Sequence, residues 1–136
     1  MHILLADDDD ANRVGLAEFL GDLGYQVTEC ANGEEALLVY ASEQFDLVLS
    51  DILMPKMSGI QLLQHIRSSP SNPDVDVALM TGSDNALMAI EALRLGADDY
   101  LLKPIDIKKL MEVVNRVAQR NRQQGVETGG RLNRVI

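Results

Sequence analysis

Cysteine is nearly missing from this chain: Cys30 is the single one, so no intramolecular disulfide and no cysteine-rich metal cluster can form. Its place in an apolar strand-like run marks it as an inert buried thiol. Long hydrophobic runs are also lacking. The most apolar stretches, such as Ile3 to Ala6 and Leu47 to Leu49, fall far short of the roughly 20 residues that span a bilayer. Nor does a basic stretch followed by an apolar segment and a small-residue cleavage site open the chain, so the expected location is cytoplasmic, without membrane contact. Positive charge is scarce and confined. Before Lys108 the chain has five basic residues against nineteen acidic ones, a balance that argues against direct nucleic-acid binding by this domain. After Ile107 seven basic residues face only Glu112 and Glu127, but they are spread out and lack interleaved aromatics, so a solvated helix end is the expected reading.

What is present is a repeat of short apolar runs and longer segments of helical period, five times over in 136 residues. The expected strands are His2 to Ala6, Gln26 to Cys30, Asp46 to Ser50, Asp76 to Met80 and Tyr100 to Leu102. They are rich in Val, Leu and Ile without strict polar alternation, as suits a parallel sheet covered on both faces. The helices between them carry apolar stripes expected to face the sheet. These are Leu16, Phe19, Leu20 and Leu23, then Ala36, Leu37 and Tyr40, then Leu62, Leu63 and Ile66. Leu87, Ile90 and Leu93 form the fourth, and Leu110, Val113, Val114 and Val117 the fifth. Asn32 with Glu35 and Ser58 with Gln61 have capping-box spacing, Asp84 and Asp106 are candidate caps, and Gly24 and Gly96 fit helix stops. Right-handed crossovers then give an α/β three-layer sandwich, a five-stranded parallel sheet of order 2-1-3-4-5 in flavodoxin-like fashion. The domain is expected to occupy residues 1–122, with 123–136 a mobile tail or the start of a linker.

In an open α/β sheet, ligands bind outside the carboxyl ends of the strands. There the first strand leads into Asp7, Asp8, Asp9 and Asp10, the third into Asp51, the fourth into Thr81 and the fifth into Lys103. Carboxylates on neighbouring strands, roughly 5 Å apart, repel one another unless a cation sits between them. Oxygen donors without His or Cys favour a hard ion, and a few carboxylates plus water suit Mg²⁺. Thr81 and Lys103 add a hydroxyl and an ammonium, a set that fits a phosphoryl group whose charge spreads over its equatorial oxygens. Asp9 and Asp10 read as capping or solvent-facing residues. His65 and His2 read as surface histidines rather than phosphate carriers.

With ILLADDDD, DILMPKMSG, MTG and GADDYLLKP in this order, the sequence resembles the response-regulator receiver family over residues 2 to about 120. The resemblance implies a phosphoacceptor at Asp51, fed by a sensor histidine kinase or phosphotransfer protein. It further implies Mg²⁺ held by Asp8 and Asp51 directly, by Asp7 through water and by the backbone carbonyl of Leu53. Gly82 would leave room for the phosphoryl group. Thr81 and Tyr100 would form a switch, and the fourth helix, fifth strand and fifth helix would read it out to an effector. On that face Arg94, Asp98, Asp99, Lys108, Lys109 and Arg116 suggest charge pairing with a second copy upon phosphorylation. By this reading the domain is no enzyme in its own right, although it assists its own phosphorylation and dephosphorylation. A haloacid-dehalogenase-like phosphohydrolase shares the Asp, Thr, Lys and Mg²⁺ set but needs a second Asp two positions after the first, where Leu53 stands. A flavodoxin-like FMN carrier is opposed by the four aspartates after the first strand, which would repel its phosphate. A degenerate receiver is disfavoured because no site residue is missing.

Overall fold

The computed structural model describes residues 1–82 and 86–135, with side chains through Arg122 apart from that of Ala86. Along the chain run β1 (His2–Ala6), α1 (Asp10–Asp22), β2 (Gln26–Cys30), α2 (Gly33–Ser42) and β3 (Leu47–Asp51), followed by α3 (Gly59–Arg67), β4 (Asp76–Thr81), α4 (Ala86–Arg94), β5 (Asp99–Leu102) and α5 (Ile107–Val135). The five strands pair in parallel in the order β2-β1-β3-β4-β5. Strands β3 and β4 are buried at every residue. This explains why their sequences show no polar alternation.

Successive residues of a strand point to opposite faces, and the central strands use this to build two cores. Ile3, Leu5, Leu47, Leu49, Ala78 and Met80 pack with Leu20 of α1 and with Leu110, Val113, Val114 and Val117 of α5. Leu4, Ala6, Val48, Val77 and Leu79 pack with Ala36 and Tyr40 of α2, Leu62, Leu63 and Ile66 of α3, and Ala92 of α4. Four of the five expected stripes therefore supply buried residues. Leu23 is the exception in the first, standing at the C-cap of α1 and half-exposed.

The fourth stripe faces the other way. Leu87, Ile90 and Leu93 are 76%, 53% and 52% exposed, while Ala92 is fully buried and Met88 and Leu95 pack against the core. Two apolar stripes coexist on α4. The one containing Ala92 goes inward because a methyl side chain lets the helix axis approach the sheet more closely than leucine does.

Local chemistry sets the element ends. Ser58 and Gln61 close a full capping box on α3, at 3.1 and 3.0 Å. Asn32 accepts from the Glu35 amide at 2.8 Å, Asp9 from that of Asn12 at 3.1 Å, and Asp106 from that of Lys108 at 2.9 Å. Gly24 and Gly96 take φ of +95° and +103° after α1 and α4, a conformation that side chains disfavour. Asp84, the expected cap of α4, lies outside the described residues. The α5 backbone stays helical past residue 123, where the sequence pattern suggests a tail; no proline follows Pro104 to stop it.

Arg67, at the end of α3, ties three segments together. Its Nε and one terminal nitrogen donate to the Gly96 carbonyl at 3.0 and 2.7 Å. The other terminal nitrogen donates to the carbonyls of Pro73 at 2.8 Å and Val75 at 2.6 Å, and Asp98 Oδ2 receives the remaining N–H at 3.0 Å. His2 is also more engaged than a surface histidine. Its ring nitrogens meet the Gln44 carbonyl at 3.0 Å and Thr28 Oγ1 at 2.8 Å, and the ring packs on Phe45. His65 is exposed on α3. Among the described residues, no helix is long and apolar enough to cross a membrane.

Candidate functional site

The carboxyl ends of β1, β3, β4 and β5 converge because the order β2-β1-β3-β4-β5 puts β1, β3 and β4 side by side. β1 delivers Asp7 and Asp8, β3 ends on Asp51, β4 ends on Thr81, and Lys103 follows β5. One carboxylate oxygen from each of Asp7, Asp8 and Asp51 lies within 4.8 Å of the other two. Asp7 is fully buried, Asp51 is 7% exposed and Asp8 is open to solvent.

Lys103 crosses the cluster. Its Nζ donates to Asp51 Oδ2 at 2.8 Å and to Asp7 Oδ2 at 2.9 Å. The remaining oxygens also have partners: Asp7 Oδ1 accepts the Asp9 amide at 2.9 Å, and Asp51 Oδ1 accepts the Leu53 amide at 3.3 Å. Burial pushes the Asp51 carboxyl above its usual range. Lys103, by hydrogen bond and charge, and the Leu53 amide pull it down, Asp7 pushes it further up, and the net shift is upward. For Lys103, burial lowers the ammonium, but hydrogen bonds and charge from Asp51 and Asp7 outweigh it and hold the pKa above its ordinary value.

Thr81 is fully buried at the end of β4, and its carbonyl accepts the Lys103 amide at 2.7 Å. Tyr100 pairs in register with Leu79 and packs half-buried on the α2–α3–α4 side. Leu53 is 62% exposed beside the acceptor. Among the described residues a Cβ at Gly82 would meet no atom within 4 Å. The structure thus brings Asp7, Asp8, Asp51 and Lys103 into direct contact or near it, with Leu53 and Thr81 joined through backbone hydrogen bonds and Tyr100 farther along β5. Asp9 caps α1, and Asp10 is paired with Arg13.

Several residues that shape the site carry no chemistry in the sequence. A Cβ on Gly59 would run into the Asp51 carbonyl, and one on Gly33 into that of Met57, so both helices start against the loop that follows the acceptor. That loop holds Lys56 at φ 69°. A glycine directly after a capping residue, as in Asn32-Gly33 and Ser58-Gly59, is the advance signal. Arg13 of α1 is another: it donates to the carbonyl of Asp7 at 2.9 Å.

The oxygen-only donor set and its spacing fit a hard divalent ion such as Mg²⁺. The fold agrees with what comparison to known proteins finds. The profile of the response regulator receiver domain matches residues 3–115. A probable transcriptional regulator, ycf27, of Cyanidium caldarium is 35% identical over 124 residues, covering 88% of this chain and 49% of that protein. The response regulator protein FleR of Pseudomonas aeruginosa is 42% identical over 116 residues, covering 85% and 24%. The chain spans half or less of the length of these curated relatives. Among solved structures, the receiver domain of a Francisella response regulator superposes with a TM-score of 0.81 at 32% identity, covering 88% of this chain and 98% of that one. Chemotaxis protein CheY4 of Vibrio cholerae gives 0.80 at 28%, covering 85% and 97%.

Proposed function

Since this chain belongs to the response regulator receiver domain family, we propose that Asp51 is its phosphoacceptor, loaded by the phosphohistidine of a sensor kinase or phosphotransfer protein. The observation that carries this reading is the Lys103 ammonium bonded at once to Asp51 and Asp7, with Asp8 alongside.

An Asp51 carboxylate oxygen attacks phosphorus in line. The P–O bond forms as the P–N bond breaks, and the electron pair leaves on the imidazole nitrogen. No base is needed, because the nucleophile is already an anion. Receiver domains bind Mg²⁺ at an acidic pocket, and here Asp7, Asp8, Asp51 and the Leu53 carbonyl would hold it, Asp7 through water. Bound there, the ion supplies charge neutralisation for the phosphoryl oxygens. Lys103 and the Thr81 hydroxyl share the remaining charge, a division of labour that suits a loose transition state. Apolar Leu53 beside the acceptor offers no base to an attacking water, so the domain's own dephosphorylation is slow.

Once charge arrives at Asp51, Thr81 moves toward it and Tyr100 turns inward, altering the face made by α4, β5 and α5. A modification shifts such an equilibrium only through its differential contacts with the two states, here those of Thr81 and Lys103. The readout face is more apolar than its sequence suggested. Asp99 is paired with Arg116 and Asp98 with Arg67 within the chain, while Leu87, Ile90 and Leu93 point outward. A homodimer formed on phosphorylation would therefore rest on α4 contacts rather than on those charges. Residues 1–122 form the receiver, and 123–136 are a tail or the start of a linker. Names such as transcriptional regulator among the longer relatives support an output in gene expression. The chain works in the cytoplasm on this reading.

Acetyl phosphate with Mg²⁺ should add one phosphate, detected by intact-protein mass spectrometry, and Asp51→Asn should abolish it. The same gain in Asp51→Asn, or a gain located on His65, would overturn the assignment.

A further inference from the structure

We propose that Arg13 is a positioning residue for the acidic loop, holding the backbone of Asp7 and Asp8 in the shape that receives a divalent cation; this rests on the metal reading given above. Arg13 lies one turn into α1 with its side chain only 14% exposed. Its three nitrogens reach three residues, in the loop after β1, in β2 and in the first turn of α1 itself. Nη1 donates to the Asp7 carbonyl at 2.9 Å, Nε to Glu29 Oε1 of β2 at 3.2 Å, and Nη2 to Asp10 Oδ1 at 2.8 Å.

Asp7 thereby has all four of its polar groups engaged. Its amide donates to the Cys30 carbonyl at 3.0 Å, its carboxylate takes Lys103 and the Asp9 amide, and its carbonyl takes Arg13. Four successive aspartates repel one another, and the loop that carries them relaxes most easily by swinging Asp8 outward, away from Asp51. Tying the Asp7 carbonyl to Glu29 and Asp10 through one planar fork opposes that swing. Groups one step behind a metal ligand act on affinity in this way, by orienting the ligand.

The proposal is open to test because charge and geometry predict opposite signs. A nearby guanidinium repels Mg²⁺, so its charge alone would make removal strengthen binding. Positioning makes removal weaken it. Lysine separates the two further, since it keeps the charge but lacks the rigid fork.

The experiment is calorimetric titration of Mg²⁺ into the full chain and into Arg13→Gln and Arg13→Lys, well below their melting temperatures, with amide exchange at Asp9 followed in EDTA. We expect both variants to bind roughly tenfold more weakly, with faster exchange at Asp9 before any metal is added. Tighter binding by Arg13→Gln, with Arg13→Lys equal to the parent, would leave Arg13 a mere charge and overturn the proposal. Unchanged affinity in both variants, even with a lowered melting temperature, would do the same by making it a fold residue only. If Arg13→Gln fails to fold, Arg13→Lys decides alone. Absence of binding to the parent chain would remove the metal reading and this inference with it.

Discussion

The guanidinium of Arg67 grips the carbonyl of Gly96 with two N–H groups, at 3.0 and 2.7 Å, across 29 residues of sequence. With Pro73, Val75 and Asp98 taking the other three, all five guanidinium N–H groups are used. Arg67→Ala should therefore lower stability by roughly 3 kcal/mol, since it strands carbonyls that a charged donor now satisfies. Gly96→Ala should cost about 1–2 kcal/mol for its positive φ alone, and more because its Cβ would press on Arg67 Nε at 3.1 Å. Urea denaturation of the two single variants and the double variant tests this; strictly additive losses would show that the two residues do not act as a unit.

Asp51 makes a prediction in pH. Burial, with repulsion from Asp7, raises its carboxyl above the ordinary 3.8 in the fold despite Lys103. Between the ordinary and the raised value the native state holds a proton that the unfolded state has released, so this contribution to stability is fully present below about 3.8 and is lost as pH rises through the higher folded value. In EDTA, Asp51→Asn should melt above the parent at neutral pH, and the gap should narrow as pH falls toward that limit. Thermal melts across the acid range would sink the prediction if the gap stayed constant.

The glycines that begin α2 and α3 should tolerate no side chain. Gly59→Ala would press on the Asp51 carbonyl and Gly33→Ala on that of Met57, each costing roughly 1–3 kcal/mol as an overpacked contact. Gly59→Ala should also slow phosphorylation by acetyl phosphate, because the strained atom belongs to the acceptor itself. Equal phosphorylation rates in both variants and the parent would refute that second part.

Cys30 is 1% exposed, and burial, with repulsion from Glu35 and Glu43, pushes its thiol up to about 12. The thiolate is the reactive form. At pH 8 the folded protein should leave an aromatic disulfide reagent unreduced over hours and release one equivalent of thiolate after urea is added. Rapid release from the native protein would contradict the packing of β2 against α2.

How much of this was legible in the sequence depends on the length over which each signal is written. Strands β1 and β2 have the bounds that their Val and Leu content gives, and β3 is displaced by one residue only because Asp51 still pairs with Met80. The acidic, hydroxyl and amine residues at the strand ends were readable because the parallel topology alone sends all strand termini to one edge. Family resemblance was still needed to single out Tyr100, whose chemistry is that of ordinary packing. The inward face of α4 was not readable, since Leu87, Ile90 and Leu93 and the row of Met88, Ala92 and Leu95 both have helical spacing. Choosing between them requires knowing how near the sheet the helix must lie. Arg13 and Arg67 were missed for a different reason: both act on backbone carbonyls, which no residue type announces.

The reach of Lys103 to Asp7 spans 96 residues of sequence, and that to Asp51 spans 52. On a translating ribosome the three carboxylates emerge first, and the ammonium that bridges two of them arrives only with β5. A nascent chain stopped before residue 103 would lack both that counter-charge and the α5 side chains Leu110, Val113, Val114 and Val117 that complete one core. The same lysine that serves the chemistry is thus a late closing piece for the domain, joining the first strand's acid to the third's only when the fifth strand is in place.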